Sequence, residues 1–298
     1  MSANTASLHT GSFFGQKVRD YGLLFKFRLS LTVVFSAAMG FLLAMQGTID
    51  WAGLGVLCMA GFLLAGASNA LNQVLEKDYD KLMNRTANRP VATGRMSVSE
   101  AVLVAGLASV VALLMFALVF NPLTAFLGSL SLISYAFIYT PMKRVSPVAV
   151  WIGAFPGALP PVIGWVAVTG TFGVEALVLF AIQFIWQLPH FWAIGWVAYD
   201  DYMRGGFKLL PSNGGRDKST ALQCLVYSLL LIPVTLLPYG IGLTGWVSAI
   251  GLVILGIAFA ATNFNLYQKS DKKAALTVMF ASFLYLPLAL LLMVIDKI

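Results

Sequence analysis

Asn72, Glu76 and Asp80 recur every four residues within the stretch from Asn69 to Arg95. On an α-helix each such step turns the side chain by only about 40°, so the three form one stripe two turns long. Two carboxylates and an amide are hard oxygen donors, suited to a divalent cation such as Mg²⁺. Lys81, Arg85, Arg89 and Arg95 follow directly, and guanidinium and ammonium groups hold phosphate oxygens. The pattern points to a metal-assisted diphosphate site. The plain alternative is a solvated loop whose acids balance its bases.

Two further groups could join that chemistry. Gln183, Gln187 and His190 interrupt an apolar run, and Asp200 and Asp201 follow at its exit. His190 and Asp201 are eleven residues apart, close to three helical turns, which predicts a shared face unless Pro189 kinks the helix. Polar groups inside a membrane are costly and carry a functional presumption. The amides also suit ordinary interhelical hydrogen bonds, and a lone buried histidine suits a core. Trp186, Phe191, Trp192 and Trp196 suit lipid-facing or interfacial positions as well as a pocket wall. Further along the chain, Pro141 ends an apolar run at Tyr139–Arg144 and leaves Lys143 at the membrane surface, as a phosphate contact or as a snorkelling lysine.

The surroundings of these groups follow from composition. Of 298 residues 59% are hydrophobic and 10% charged, with a mean hydropathy of +0.84. This excludes an ordinary soluble domain and predicts an all-α polytopic membrane protein with no nucleic-acid partner. Cys58 and Cys224 both lie in apolar runs, which fits neither a disulfide framework nor a zinc site. About nine spans are expected, near 29–47, 51–75, 98–119, 122–140, 147–169, 173–198, 219–239, 243–267 and 274–295, at about 20 residues each. Ser97–Glu100 reads as a capping box, and Asn121-Pro122 and Ser146-Pro147 as caps before a first-turn proline. Residues 1–28 read as an interfacial arm and 29–298 as one transmembrane domain; His9 in the arm is given no role.

All lysines and arginines except Lys297 fall in the arm or in the loops on one side of this arrangement. The positive-inside rule places that side, with the N-terminus, in the cytoplasm. The second and sixth spans then both end there, each beside an acidic cluster. This suggests a weak four-helix repeat with the site between its halves.

These residues also carry a family resemblance. The Asn72, Glu76, Asp80 stripe resembles the NxxxDxxxD motif of the UbiA superfamily of intramembrane prenyltransferases, with Glu76 in place of the middle Asp. Tyr139–Lys143 is similar to its YxxxK motif. Met83–Thr86 with Arg89-Pro90, the segment Trp186–Trp192, and Asp200-Asp201-Tyr202 resemble the haem O synthase (protohaem IX farnesyltransferase) branch. Leu188, where Pro is frequent, and Gly206–Lys208 depart from that pattern.

The resemblance implies about nine transmembrane helices around a central cavity open to the cytoplasmic side of a prokaryotic plasma membrane. It implies transfer of a farnesyl group from farnesyl diphosphate to the 2-vinyl group of haem B, with addition of water, and Mg²⁺ as cofactor. Asn72, Glu76, Asp80, Asp200 and Asp201 would bind the metal-bridged diphosphate, and Arg85, Arg89 and Lys143 the diphosphate itself. Tyr139, Trp186, Phe191 and Trp192 would offer aromatic faces to an allylic cation; Gln187 and His190 would serve the haem side. Hand-over of the product to a haem A synthase or a terminal oxidase assembly is a further implication. Two alternatives stay open: prenylation of a quinone precursor or other aromatic ring, and transport of a haem-like or lipidic substrate. The WQLPHFW segment argues against the first, and the one-sided charge against the second.

Overall fold

A peptide group in hydrocarbon finds no water, so each apolar run closes its own hydrogen bonds as a helix. A computed structural model describes residues 13–212 and 215–298; residues 1–12 of the expected arm, His9 among them, lie outside the described residues. An arm helix, α1 (Phe13–Leu24), precedes nine candidate spans among the described residues. These are α2 (Phe27–Ala44), α3 (Trp51–Asp80), α4 (Val98–Phe120), α5 (Pro122–Met142), α6 (Ala149–Thr169) and α7 (Val174–Val197). A short helix, α8 (Tyr199–Arg204), leads on to α9 (Lys218–Gly240), α10 (Trp246–Lys269) and α11 (Lys272–Ile295). The expected spans are all present, and α3 continues past its expected end at 75.

Local chemistry sets several boundaries. Ser97 accepts the Glu100 N–H at 3.0 Å, and Asn121 accepts the Thr124 N–H at 2.9 Å before the proline-led start of α5. The expected start at Ser146-Pro147 is corrected: α6 begins at Ala149, and the Ser146 hydroxyl accepts the Val148 N–H instead.

Helix α6 is the central post, with most of its residues buried although Pro156, Pro160 and Pro161 lie inside it. Pro160 and Pro161 have no N–H for the carbonyls of Pro156 and Gly157, four residues earlier. Ser131 donates to the Pro156 carbonyl at 3.4 Å and Gln183 to the Gly157 carbonyl at 2.7 Å. Gln183 thus repairs a proline-broken helix. Helix α2 packs against α6 at small residues: a Cβ on Gly40 would collide with the Pro161 carbonyl, and one on Gly164 with that of Ala37. Such close backbone approach is how membrane helices gain packing energy without a hydrophobic drive.

The arm and the charged loops gather at one end. Lys17 and Tyr21 bond Glu100 at 2.9 and 2.8 Å, Arg95 bonds Asp20 at 3.0 Å, and the Lys208 N–H donates to the Lys143 carbonyl at 2.7 Å. At the other end, Lys297 donates to the carbonyls of Leu42 and Met45, and Asp296 accepts the Ser248 N–H.

Candidate active site

The polar stripe on α3 faces inward. Asn69, Asn72, Gln73, Glu76 and Asp80 are all buried, and Asp80 has no exposed surface at all. In hydrocarbon such groups need partners. Asn69 donates to the Phe25 carbonyl and the Ser30 hydroxyl, and Gln73 to the carbonyls of Leu23 and Leu24. These two amides therefore hold the arm–α2 turn, and the other three, Asn72, Glu76 and Asp80, border a cavity.

That cavity, of about 110 Å³, lies where the ends of α3 and α5 meet the arm turn and the segment after α7. Lys26, Asn72, Glu76, Asp80, Arg85, Arg89 and Lys143 line it, with Met83, Thr86, Tyr135, Tyr139, Tyr202, Phe207 and Leu209. Arg89 donates to both Asp80 oxygens, at 2.8 and 2.7 Å, and lies 4.0 Å from Glu76. Lys143 pairs with Glu76. Asn72 links two elements, accepting from Lys26 at 3.1 Å and donating to Thr140 at 3.2 Å. Four cations face two carboxylates here, so the cavity carries excess positive charge suited to an anion.

Aromatic rings complete the wall. The last part of α5, Ser134–Tyr139, is a π-helical turn, a feature often found at functional sites. It brings Tyr135 and Tyr139 to the same cavity with ring centroids 5.3 Å apart. The Lys143 ammonium lies 5.0 Å from the Tyr139 ring centroid and 5.4 Å from that of Phe207. Arg85 lies 5.2 Å over Tyr202 and bonds its hydroxyl at 3.2 Å.

The other expected site residues stand elsewhere. Helix α7 ends at Val197, and Ala198 leaves helical geometry, so the face expected to join His190 to Asp201 is interrupted. Asp200 is a largely exposed side chain paired with Arg216 at 2.9 Å, and neither it nor Asp201 lines the cavity. Asp201 accepts the backbone N–H groups of Asn84 and Arg85 at 2.8 and 3.1 Å, fastening the two loops together. Burial works to raise its pKa, but those N–H groups and Arg204 outweigh it and hold the carboxyl below its usual range.

Higher on α7 the expected haem-side group divides. His190 bonds the Ser282 hydroxyl of α11 through Nδ1 at 2.7 Å and stacks on Trp186, 4.6 Å away, beside Phe191. Gln187 points the other way, donating to the Ala154 carbonyl of α6 at 3.2 Å. Trp192 packs between Trp151 and Tyr227. None of these five borders the cavity. Conversely, the sequence reading left Lys26 in the interfacial arm and singled out neither Tyr135 nor Phe207. The only sequence signal for Tyr135 was its spacing from Tyr139.

The geometry can be set against known proteins. The model of the UbiA prenyltransferase family matches residues 33–284, most of the chain. This chain belongs to the UbiA prenyltransferase family. Among its relatives, the protoheme IX farnesyltransferase of Cytophaga hutchinsonii is 48% identical over 279 residues, covering 93% of this chain and 97% of that protein. The protein of that name from Christiangramia forsetii is 44% identical over 283 residues, covering 93% of each. Two solved structures share the fold. A digeranylgeranylglyceryl phosphate synthase matches with a TM-score of 0.77 at 16% identity, over 94% of this chain and 98% of that one. A UbiA homologue from Archaeoglobus fulgidus, bound to GPP and Mg²⁺, matches with a TM-score of 0.68 at 14% identity, over 92% and 99%. The chain is an integral membrane prenyltransferase.

Proposed function

We propose that this UbiA prenyltransferase transfers a farnesyl group from farnesyl diphosphate to the 2-vinyl group of protohaem IX, with addition of water, giving haem O and diphosphate. The observation that carries the reading is the cation-rich, carboxylate-bearing cavity under the aromatic wall, in a chain 48% identical to a protoheme IX farnesyltransferase. At about 110 Å³ the cavity suits a diphosphate rather than a porphyrin.

The residues fit a metal. Asn72, Glu76 and Asp80 offer three hard oxygen donors to one space, and Mg²⁺ is commonly held by one or two carboxylates with substrate phosphates and water. No cluster of three acidic, histidine or cysteine side chains that could hold an ion by itself occurs among the described residues, which agrees with a site completed by substrate. Asn72, Glu76 and Asp80 would hold Mg²⁺, whose charge would stabilise the departing diphosphate. Asp200 and Asp201 retain a metal role on the resemblance alone.

Arg89 and Lys143 are paired with Asp80 and Glu76, so these carboxylates are compensated within the protein, and a metal held by them would release both cations for phosphate oxygens. Lys143, Arg89 and Arg85 then hold the phosphate oxygens as the C1–O bond of the farnesyl chain breaks. Tyr135, Tyr139 and Phe207 present ring faces to the allylic cation and limit water. Its C1 bonds to the outer vinyl carbon, which leaves positive charge beside the porphyrin. Water adds there and releases one proton. We place His190, Gln187, Trp186, Phe191 and Trp192 on the acceptor side, reached along α7, with His190 oriented by Ser282.

In a cell this site would face the cytoplasm, in the plasma membrane of a prokaryote, and the product would pass to a haem A synthase or terminal oxidase assembly. The test is to incubate purified protein with haem B, farnesyl diphosphate and Mg²⁺, with a quinone precursor as competing acceptor. The expected product has the mass of haem O. Prenylation of the quinone precursor alone would replace the acceptor, and return of both substrates unchanged would reject the reading.

A further inference from the structure

We propose that Ser282 is a positioning residue that holds His190 as the tautomer protonated at Nδ1, leaving Nε2 as a bare lone pair for the iron of the porphyrin acceptor. The iron half of this rests on reading haem B as the acceptor; the tautomer half does not. A neutral imidazole carries one proton on two nitrogens, and its neighbours decide which nitrogen holds it. The Ser282 hydroxyl oxygen lies 2.7 Å from Nδ1 of His190 and 2.6 Å from the Met279 carbonyl oxygen of its own helix. A carbonyl cannot donate, so the single hydroxyl proton of Ser282 points at Met279. Its oxygen then has only lone pairs to offer the ring, and Nδ1 must be the donor. The chain runs from Nδ1–H through the Ser282 hydroxyl to the Met279 carbonyl, and in such a chain each bond strengthens the next. No hydrogen bond reaches Nε2 among the described residues.

Two helices fix the ring. Trp186 stacks on it with the planes 18° apart, and the Trp186 indole N–H donates to the Ser282 carbonyl at 3.1 Å. Phe283 meets it edge-on at 5.0 Å. Ser282 thus bonds both members of a stacked pair and has no exposed surface itself, whereas His190 keeps 7% of its surface open. A proton acceptor would have to become an imidazolium, which is costly in hydrocarbon without a charge beside it. No charged group stands near this ring among the described residues. A metal asks only for a neutral lone pair on one nitrogen, with the proton of the other given to a fixed acceptor. That is the arrangement here, so iron suits this imidazole better than a proton. Depth agrees with the role. His190 lies seven residues before the end of α7 and Asn72 eight before the end of α3, about 10 and 12 Å at the helical rise. A porphyrin held at Nε2 would therefore lie level with the diphosphate cavity.

The chain has two histidines, His9 and His190, so His9→Gln protein grown with ¹⁵N-histidine carries one labelled ring. In detergent without ligands its NMR spectrum should show a proton-bearing Nδ1 and a pyridine-type Nε2. Ser282→Ala should let the Nε2–H form appear, and Ser282→Thr, which keeps the hydroxyl, should restore the single tautomer. A proton on Nε2 in the protein with Ser282 intact would overturn the proposal, as would a single Nδ1–H tautomer that survives Ser282→Ala. Haem B is then added, and resonance Raman spectra of the ferrous complex are recorded. An iron–imidazole stretching band should be present, vanish in His190→Gly, return with added imidazole, and shift in Ser282→Ala. Ser282→Ala should weaken haem binding about ten- to a hundredfold, as for other partners of ligating histidines, and leave binding of diphosphate with Mg²⁺ unchanged. Haem that binds without this band would strike out iron ligation while haem B stands as the acceptor. No haem binding at all would reject the acceptor and the iron ligation together.

Discussion

Asp80 has no exposed surface, and both its oxygens are taken by Arg89. Removing one member of such a pair leaves the other buried without compensation, at a cost of about 3–5 kcal/mol. Asp80→Ala should therefore lower the thermal midpoint in detergent and cut turnover by at least about a hundredfold. Glu76→Asp should be milder than Glu76→Ala, because it keeps a carboxylate for Lys143 and for a metal. Turnover should vanish on chelation and return with added Mg²⁺; full activity after exhaustive chelation would remove the metal from the mechanism. The carboxylate stripe and the cations were legible in sequence because a helix fixes side-chain direction from spacing alone. Their pairing was not, since Glu76 meets Lys143 across 67 residues of chain through the packing of α3 on α5. Lys26 was hidden for a related reason. One backbone turn decides whether it faces lipid headgroups or the cavity, and residue type gives no sign of that turn.

At the scale of elements, the loops over the cavity depend on small fastenings. Asp201 holds the Asn84–Arg85 backbone, and its pKa is depressed in the folded protein. A depressed carboxyl contributes fully above its unfolded pKa of about 4, and the contribution is lost only as pH falls through the lower folded value. Hydrogen exchange at the Asn84 and Arg85 amides should therefore be slow, with constant protection from about pH 5 to 9 once intrinsic rates are corrected. Asp201→Ala should abolish that protection and raise the farnesyl diphosphate requirement through Arg85. Protection that survives the substitution would show that something else docks the loop. The π-helical turn of α5 makes a second prediction. Phe137, within it, is largely exposed, so deleting it removes no core packing. A regular helix would return and rotate Tyr135 by about 100° relative to Tyr139 and Lys143. Turnover should be lost while the protein still elutes as a single species in detergent. Sequence gave the helix and its proline stop but not the wider turn, because no residue type demands one.

For the whole molecule, the spans were readable because lipid imposes length and hydropathy, and capping chemistry marks several ends. The joining of α3 to α7 was read less well, since the break at Ala198 redirects the acidic pair that follows. Orientation is the remaining whole-molecule property. The arm, the 81–97 loop and the segment after α7 bond to one another, so they share one face of the protein. Lys297 and Asp296 fasten the opposite end. Basic residues near helix ends resist translocation, and the first face holds nearly all of them. In a background with Cys58 and Cys224 replaced by alanine, single cysteines at Thr93 and Met203 should react with a membrane-impermeant maleimide only in inverted vesicles. A cysteine at Thr48 should react only in intact cells. All three positions are exposed, so a failure to react reports sidedness rather than burial. Labelling of Thr93 from outside intact cells would reverse the orientation, and the diphosphate cavity, fixed to the same face through Arg89, would turn with it.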